Sequence, residues 1–384
     1  MIAYLLKLSA ENNNNRYYKM VQSEDTILIE YGRVGAKPMK IKRPMQLWNE
    51  TYEKHIAEGY IDRTDMLSVK EAGEYREIEN PYIRDFIKFL LYKTKEVVNE
   101  NYSVSYSEVS SKMIQEAQEI ITELSNQKSL DSLNMLLKKL FVTIPRKMKV
   151  VADYLLTDLK DLSNTIQREQ DLLDVMKSQV EDLNNTNDKE TILEANNISI
   201  SLVDSDKEID QIKSHMGEWK SKFVRAFRIR NERTDHNFQE YCESNHMSKR
   251  NIHFYYHGSK NENYWGIIKN GQKLNPDAVV CGKMFGHGLY YANKSIKSIN
   301  YTSISSRWRA GVEEKGYLAV FKVAYKNPLH VKKHEQWMCN IRYKKDIGDH
   351  DALFAHGGLD LINDEIVVYD ERQVTLCYLI EIKK

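Results

Sequence analysis

From residue 80 to residue 180 the apolar side chains return every three or four positions, and on both sides of that stretch they alternate instead. Ile83, Phe86, Ile87, Leu90, Leu91, Val97 and Val98 make one helical stripe, opened by Asn80-Pro81, where proline suits the first helical position. Val109, Met113, Ala117, Ile120, Ile121 and Leu124 make a second, and Leu130, Leu133, Leu137 and Leu140 a third. Beyond Pro145 the spacing predicts a helix through Val151, Tyr154, Leu155, Leu159 and Leu162, then another through Ile166, Leu172, Leu173, Met176 and Val180. Stripes of this kind bury one another, which predicts a helical bundle, and no catalytic cluster lies within it.

The flanking parts differ. Residues 1–70 read as short strands and one helix: alternation over 26–30 runs into the turn Tyr31-Gly32-Arg33-Val34-Gly35, and an amphipathic stretch over 45–58 stops at Gly59, a helix-ending residue. The Asn-rich residues 184–197 read as a linker. After them Ile198, Ile200 and Leu202 alternate with serines, and residues 224–230, 253–256, 317–325, 366–369 and 375–382 read as strands. A chain of 384 residues has room for two or three such domains. The fold class predicted is multidomain α+β, with a strand-dominated third part.

Charge and cysteine usage narrow the partners. The 56 basic and 55 acidic residues nearly cancel, yet Arg33, Lys37, Lys40, Lys42 and Arg43 follow one another between Tyr31 and Met45 with no acid among them. Alone, such a run describes a solvated hairpin; with supporting context it describes a surface for phosphates. Cys242, Cys281, Cys339 and Cys377 lack the close spacing of a structural zinc site, so no metal is expected and the thiols read as reduced. No apolar run approaches the roughly 20 residues that span a bilayer. The apolar start reads as a first strand rather than a signal peptide, since no basic segment precedes it. The expectation is an intracellular protein with no membrane partner.

Chemistry concentrates in the last 130 residues. A strand runs into His257-Gly258-Ser259; Gly286-His287-Gly288-Leu289-Tyr290-Tyr291-Ala292 precedes Ser298 and Tyr301; and Glu365 opens the apolar run Ile366-Val367-Val368-Tyr369. Singly, each has an ordinary structural explanation. Gly286 and Gly288 also fall short of a dinucleotide fingerprint, which needs a third glycine between strand and helix.

In order and rough spacing, however, the three clusters resemble the His-Tyr-Glu catalytic domain of the poly(ADP-ribose) polymerase family. Leu140-Phe141-Val142-Thr143-Ile144-Pro145 resembles the signature of that family's regulatory helical domain. Ala226-Phe227-Arg228-Ile229 resembles the strand before its NAD⁺-binding core, and the first 70 residues resemble a WGR domain, with Tyr31 where the family has tryptophan. The resemblance implies a small β-rich WGR-like domain over 1–72, an all-α regulatory domain over 78–192 and a mixed, β-rich ADP-ribosyltransferase domain over 195–384. NAD⁺ would be the substrate. His257, Tyr290 and Glu365 would be catalytic, with Gly258, Ser259, Lys273, Ser298 and Tyr301 binding NAD⁺. Gly258 and Ser298 would hold the nicotinamide amide between the Tyr290 and Tyr301 rings; His257 would hold the adenine-side ribose; Lys273 stands where the family often has an arginine facing the adenosine. Arg33, Lys37, Lys40, Lys42 and Arg43 would contact DNA strand breaks. Acceptors would be proteins, the chain itself included, in bacterial cytoplasm or a eukaryotic nucleus. The alternatives are a mono-ADP-ribosyltransferase and a DNA-end-binding protein with an inactive NAD⁺ domain; the intact His257, Tyr290 and Glu365 set argues against the latter.

Overall fold

The computed structural model describes residues 1–67, 74–184, 188–274, 284–305 and 313–384. Cys281, Gly282 and Lys283 lie outside the described residues. Two compact units emerge, one of residues 1–72 and 95–184, the other of 73–94 and 185–384.

In the first unit β1 (Ile2–Ser9), β2 (Asn14–Ser23), β3 (Thr26–Arg33), β4 (Met39–Pro44) and β5 (Ile61–Asp62) form an antiparallel sheet in the order β4-β3-β2-β1-β5. Alternation puts Leu5, Tyr18, Met20, Ile27 and Ile29 on one face, where Trp48 of α1 (Trp48–Ala57) completes the core. Gly59 follows that helix at φ +88°, as its stop signal predicts. Strand β3 runs on to Arg33, and the turn comes at Gly35, φ +80°.

The helices are α2 (Pro81–Asn101), α3 (Ser111–Leu124), α4 (Leu130–Thr143) and α5 (Leu162–Asn184). Asn80 caps α2 by accepting from the Tyr82 and Ile83 N–H groups, and Ser110 caps α3 from the Met113 N–H. Buried polarity joins the bundle. Arg146 pairs with Glu169 at 2.6 Å, the two side chains 4% and 2% exposed, and its guanidinium lies 4.5 Å from the centre of the Tyr102 ring. Burial pushes the Tyr102 hydroxyl up to about 12. One expected helix is absent: residues 151–162 form short 3₁₀ turns at Val151–Tyr154 and Leu159–Asp161. Only Val151 and Leu156 are buried there, too little apolar surface to fix a full helix.

In the second unit β6 (Ile198–Leu202), β7 (Phe223–Asn231), β8 (Ile252–Gly258), β10 (Lys315–Ala324) and β14 (Val374–Lys383) form a sheet ordered β6-β7-β14-β10-β8. A second sheet, ordered β11-β12-β13-β9, contains β9 (Leu289–Tyr291), β11 (Pro328–Val331), β12 (Ala352–Ala355) and β13 (Glu365–Val368). The sheets meet where Tyr256 and Ala292 exchange backbone hydrogen bonds of 2.8 and 2.9 Å. Four helices unseen in the alternation accompany them: α6 (Asp206–His215), α7 (Glu232–Ser244), α8 (Tyr264–Asn270) and α9 (Ser295–Ile299). The last two are too short to display a helical period.

The stretch read as a linker is partly core. Ile192 and Leu193 are buried with Ile83, Phe86, Ile87 and Leu90 of α2, and Phe86 stacks on Phe227 with centroids 4.1 Å apart. The early part of α2 thus belongs to the second unit. Among the described residues no helix is long and apolar enough to cross a membrane.

Candidate functional site

Tyr290 and Glu365 are brought together by strand register. In the antiparallel β9–β13 pair Tyr290 lies opposite Val367, and Tyr291 opposite Ile366. Glu365, two residues before Val367, therefore sits diagonal to Tyr290 on the same face of the sheet. The Tyr290 hydroxyl donates to the Gly286 carbonyl at 2.7 Å and accepts from the Phe285 N–H at 3.2 Å, so its own turn fixes the ring. Burial first, then the neighbouring Tyr369 and Glu365, push that hydroxyl well above the usual phenol range. The phenol stays neutral and serves as a ring and a hydrogen-bonding group.

His257 joins them across the seam between the sheets. One residue beyond the Tyr256–Ala292 bridge, its Nδ1 lies 3.0 Å from the Tyr290 carbonyl oxygen. A carbonyl only accepts, so Nδ1 carries the proton, and Nε2 is the acceptor nitrogen whenever the ring is neutral. The Tyr291 and Phe321 rings pack on the imidazole, with centroids 5.9 and 6.0 Å away. Orientation is therefore set by both a hydrogen bond and packing.

Two glycines let the walls close. A Cβ on Gly258 would lie 1.7 Å from the Ser298 carbonyl oxygen, and one on Gly288 would lie 2.2 Å from Val367 Cγ1. Ser298, on α9, is buried close to the Gly258 backbone, whereas Tyr301 just past the helix is 48% exposed. The Ser259 N–H donates to the Tyr264 hydroxyl at 3.2 Å, and its own hydroxyl accepts from Asn263 at 3.1 Å. Lys273 stands apart from this group, its ammonium 2.8 Å from Glu371.

One residue at the centre was missed from the sequence. Lys297 reaches from α9 to put Nζ 2.8 Å from Glu365 Oε1, with the two side chains 16% and 14% exposed. A lysine in a short polar stretch reads as solvated. Its one clue was adjacency to Ser298.

In the first unit Lys37, Lys40, Lys42 and Arg43 are exposed, with Lys40 paired to Glu30 across the β3–β4 ladder. Arg33 is employed differently: its guanidinium donates to the carbonyls of Asn13, Met148 and Lys149 at 2.7, 2.9 and 2.7 Å. It ties the hairpin to the chain beyond Pro145.

A family model of the poly(ADP-ribose) polymerase catalytic domain matches residues 204–349, from the strand-rich sheet through Tyr290, Lys297 and Ser298. "Uncharacterized protein 101L" of Invertebrate iridescent virus 6 is 37% identical over 180 residues, 46% of this chain and 76% of that protein. "Poly [ADP-ribose] polymerase 1" of Gallus gallus is 27% identical over 311 residues, covering 72% of this chain, and its Danio rerio counterpart is 24% identical over 376 residues, covering 87%. The chain belongs to the poly(ADP-ribose) polymerase family. It spans 30% and 37% of the lengths of those two vertebrate proteins. The family's catalytic domain takes NAD⁺ as substrate and transfers ADP-ribose.

Proposed function

We propose that the chain transfers ADP-ribose from NAD⁺ to proteins, itself included, and extends the adduct into poly(ADP-ribose). The observation that carries this reading is the Lys297–Glu365 pair on the sheet face that also bears Tyr290, with His257 anchored to the Tyr290 carbonyl. In the reaction the bond from ribose C1′ to the nicotinamide nitrogen breaks, its electron pair neutralises the pyridinium, and positive charge develops on the ribose. Glu365, oriented by Lys297, accepts from the ribose 2′-hydroxyl and stabilises that charge. An acceptor oxygen then bonds to C1′; when it is the hydroxyl of a growing chain, its proton passes towards the same carboxylate. His257 Nε2 accepts from the adenine-side ribose. Gly258 and Ser298 hold the nicotinamide amide, while Tyr290 and Tyr301 cover the ring faces.

DNA strand breaks bound by the WGR-like domain, 1–72, through Lys37, Lys40, Lys42 and Arg43 raise this activity by relieving inhibition from the helical region, 78–192. The support is the run of exposed cations and the resemblance of those segments to the family's DNA-binding and regulatory domains. DNA acts only by favouring the open state over the closed one.

Incubating the full chain with labelled NAD⁺, with and without blunt-ended DNA, tests both parts. DNA raises incorporation, and Glu365→Gln removes long polymer while NAD⁺ still binds. Loss of one charge-assisted bond in a half-dry site costs about 2–4 kcal/mol of barrier. Undiminished polymer from the variant removes Glu365 from the mechanism.

A further inference from the structure

We propose that Glu371 is a positioning residue that fixes Lys273 for the adenosine end of NAD⁺, an inference that rests on the NAD⁺ reading above. The carboxylate makes two contacts with adjacent residues. Oε2 lies 2.8 Å from the Lys273 ammonium, and Oε1 accepts the Leu274 N–H at 2.7 Å. Gln272, just before them, accepts a hydrogen bond from the hydroxyl of Tyr291, the ring that packs against His257. Residues 272–274 are thus tied at one end to the support of the catalytic histidine and at the other to Glu371.

The turn that presents Glu371 is itself rigid. Asp370 accepts from the Arg372 N–H at 2.9 Å and from its guanidinium at 3.0 and 2.7 Å. Gln373 is fully buried and donates to the Ala324 and Asp351 carbonyls. Arg372 is engaged by Asp370, so the neighbouring carboxylate of Glu371 faces Lys273. Arg233, Thr234 and Thr375 line a small cleft with these groups, with Phe321, the other ring against His257, among its lining residues. A lysine on a flexible four-carbon stem delivers its charge to one place only when something orders it. Glu371 supplies that order and the Leu274 tether at once.

The experiment uses the full chain, its Glu371→Gln, Lys273→Ala and double variants, and two probes. 3-Aminobenzamide reports the nicotinamide end alone; benzamide adenine dinucleotide, which cannot be cleaved, reports both ends. Glutamine keeps an oxygen for Leu274 and loses the ion pair. Glu371→Gln and Lys273→Ala each weaken the dinucleotide roughly three- to tenfold, and the double variant is no weaker than Lys273→Ala. 3-Aminobenzamide binds all four proteins alike, and KM for NAD⁺ rises by more than kcat falls. Parental dinucleotide affinity in Glu371→Gln, or losses that add in full in the double variant, overturns the assignment. With blunt-ended DNA present to favour the open state, a parent that binds 3-aminobenzamide and not the dinucleotide overturns the NAD⁺ reading instead.

Discussion

Lys297 and Glu365 meet with little solvent between them and the protein, so each is the other's principal orienting charge. The carboxylate has lone pairs for a ribose hydroxyl, and its place is held by the ion pair at 2.8 Å. Lys297→Met keeps the aliphatic stem and removes the charge. Polymer elongation falls about 10- to 100-fold, equivalent to about 1.4–2.8 kcal/mol. 3-Aminobenzamide affinity persists, because Gly258, Ser298 and the tyrosine rings are untouched, and Lys297→Arg restores part of the rate. Elongation at the parental rate by Lys297→Met would leave the ion pair without a part in catalysis. The neutral phenol of Tyr290 adds a rigid surface beside this pair and no further charge.

At the scale of elements, α6 is held to the sheet by Ile209 and Ile212, packed against the core, and by a small polar cluster. Glu208 on α6 accepts from the Tyr378 hydroxyl on β14 at 2.7 Å and from the Arg228 guanidinium on β7 at 2.5 Å. The Tyr378 hydrogen bond, then the Arg228 one, hold the carboxyl below its ordinary value of 4.5. A depressed carboxyl stabilises the fold above its unfolded value, and that stability is lost as pH falls through the folded one. The melting difference between parent and Glu208→Gln is therefore full at neutral pH and shrinks below about pH 4.5. A difference that is constant down to pH 3 excludes the carboxylate as the source. Sequence reading found β7 and β14 by their alternation, but gave no account of what α6 packs against. Ile209 and Ile212 are its only apolar residues, too few to display a stripe, and the partners of Glu208 lie 20 and 170 residues away.

For the whole molecule, the proposed DNA response depends on exposed cations, of which Lys40 is already paired with Glu30. Arg33 is a poor probe, because its guanidinium is committed to three carbonyls within its own unit and its removal disturbs the fold. Lys37 and Lys42 are exposed and suit the test. Affinity for blunt-ended DNA falls steeply with salt, and Lys37→Ala with Lys42→Ala lowers the slope of log affinity against log salt by about 2. Titration at four salt concentrations measures it. An unchanged slope in the double variant removes these lysines from the interface.

Local periodicity determined the elements that are long or strongly alternating: α2 to α5, β7, β10 and β14 declare themselves because burial repeats along them. His257, Tyr290 and Glu365 were named by the resemblance of their three clusters to a known family, since each cluster alone has an ordinary structural explanation. Tertiary structure alone decided the rest. Ile192 and Leu193 look like linker residues until α2 covers them, and residues 151–162 show a helical period yet lack the surface to bury it. Lys297 and Glu371 become partners of Glu365 and Lys273 only when chain segments 68 and 98 residues apart in sequence are folded together. An ion pair between distant segments leaves no period behind, because its energy depends on separation in space and not along the chain.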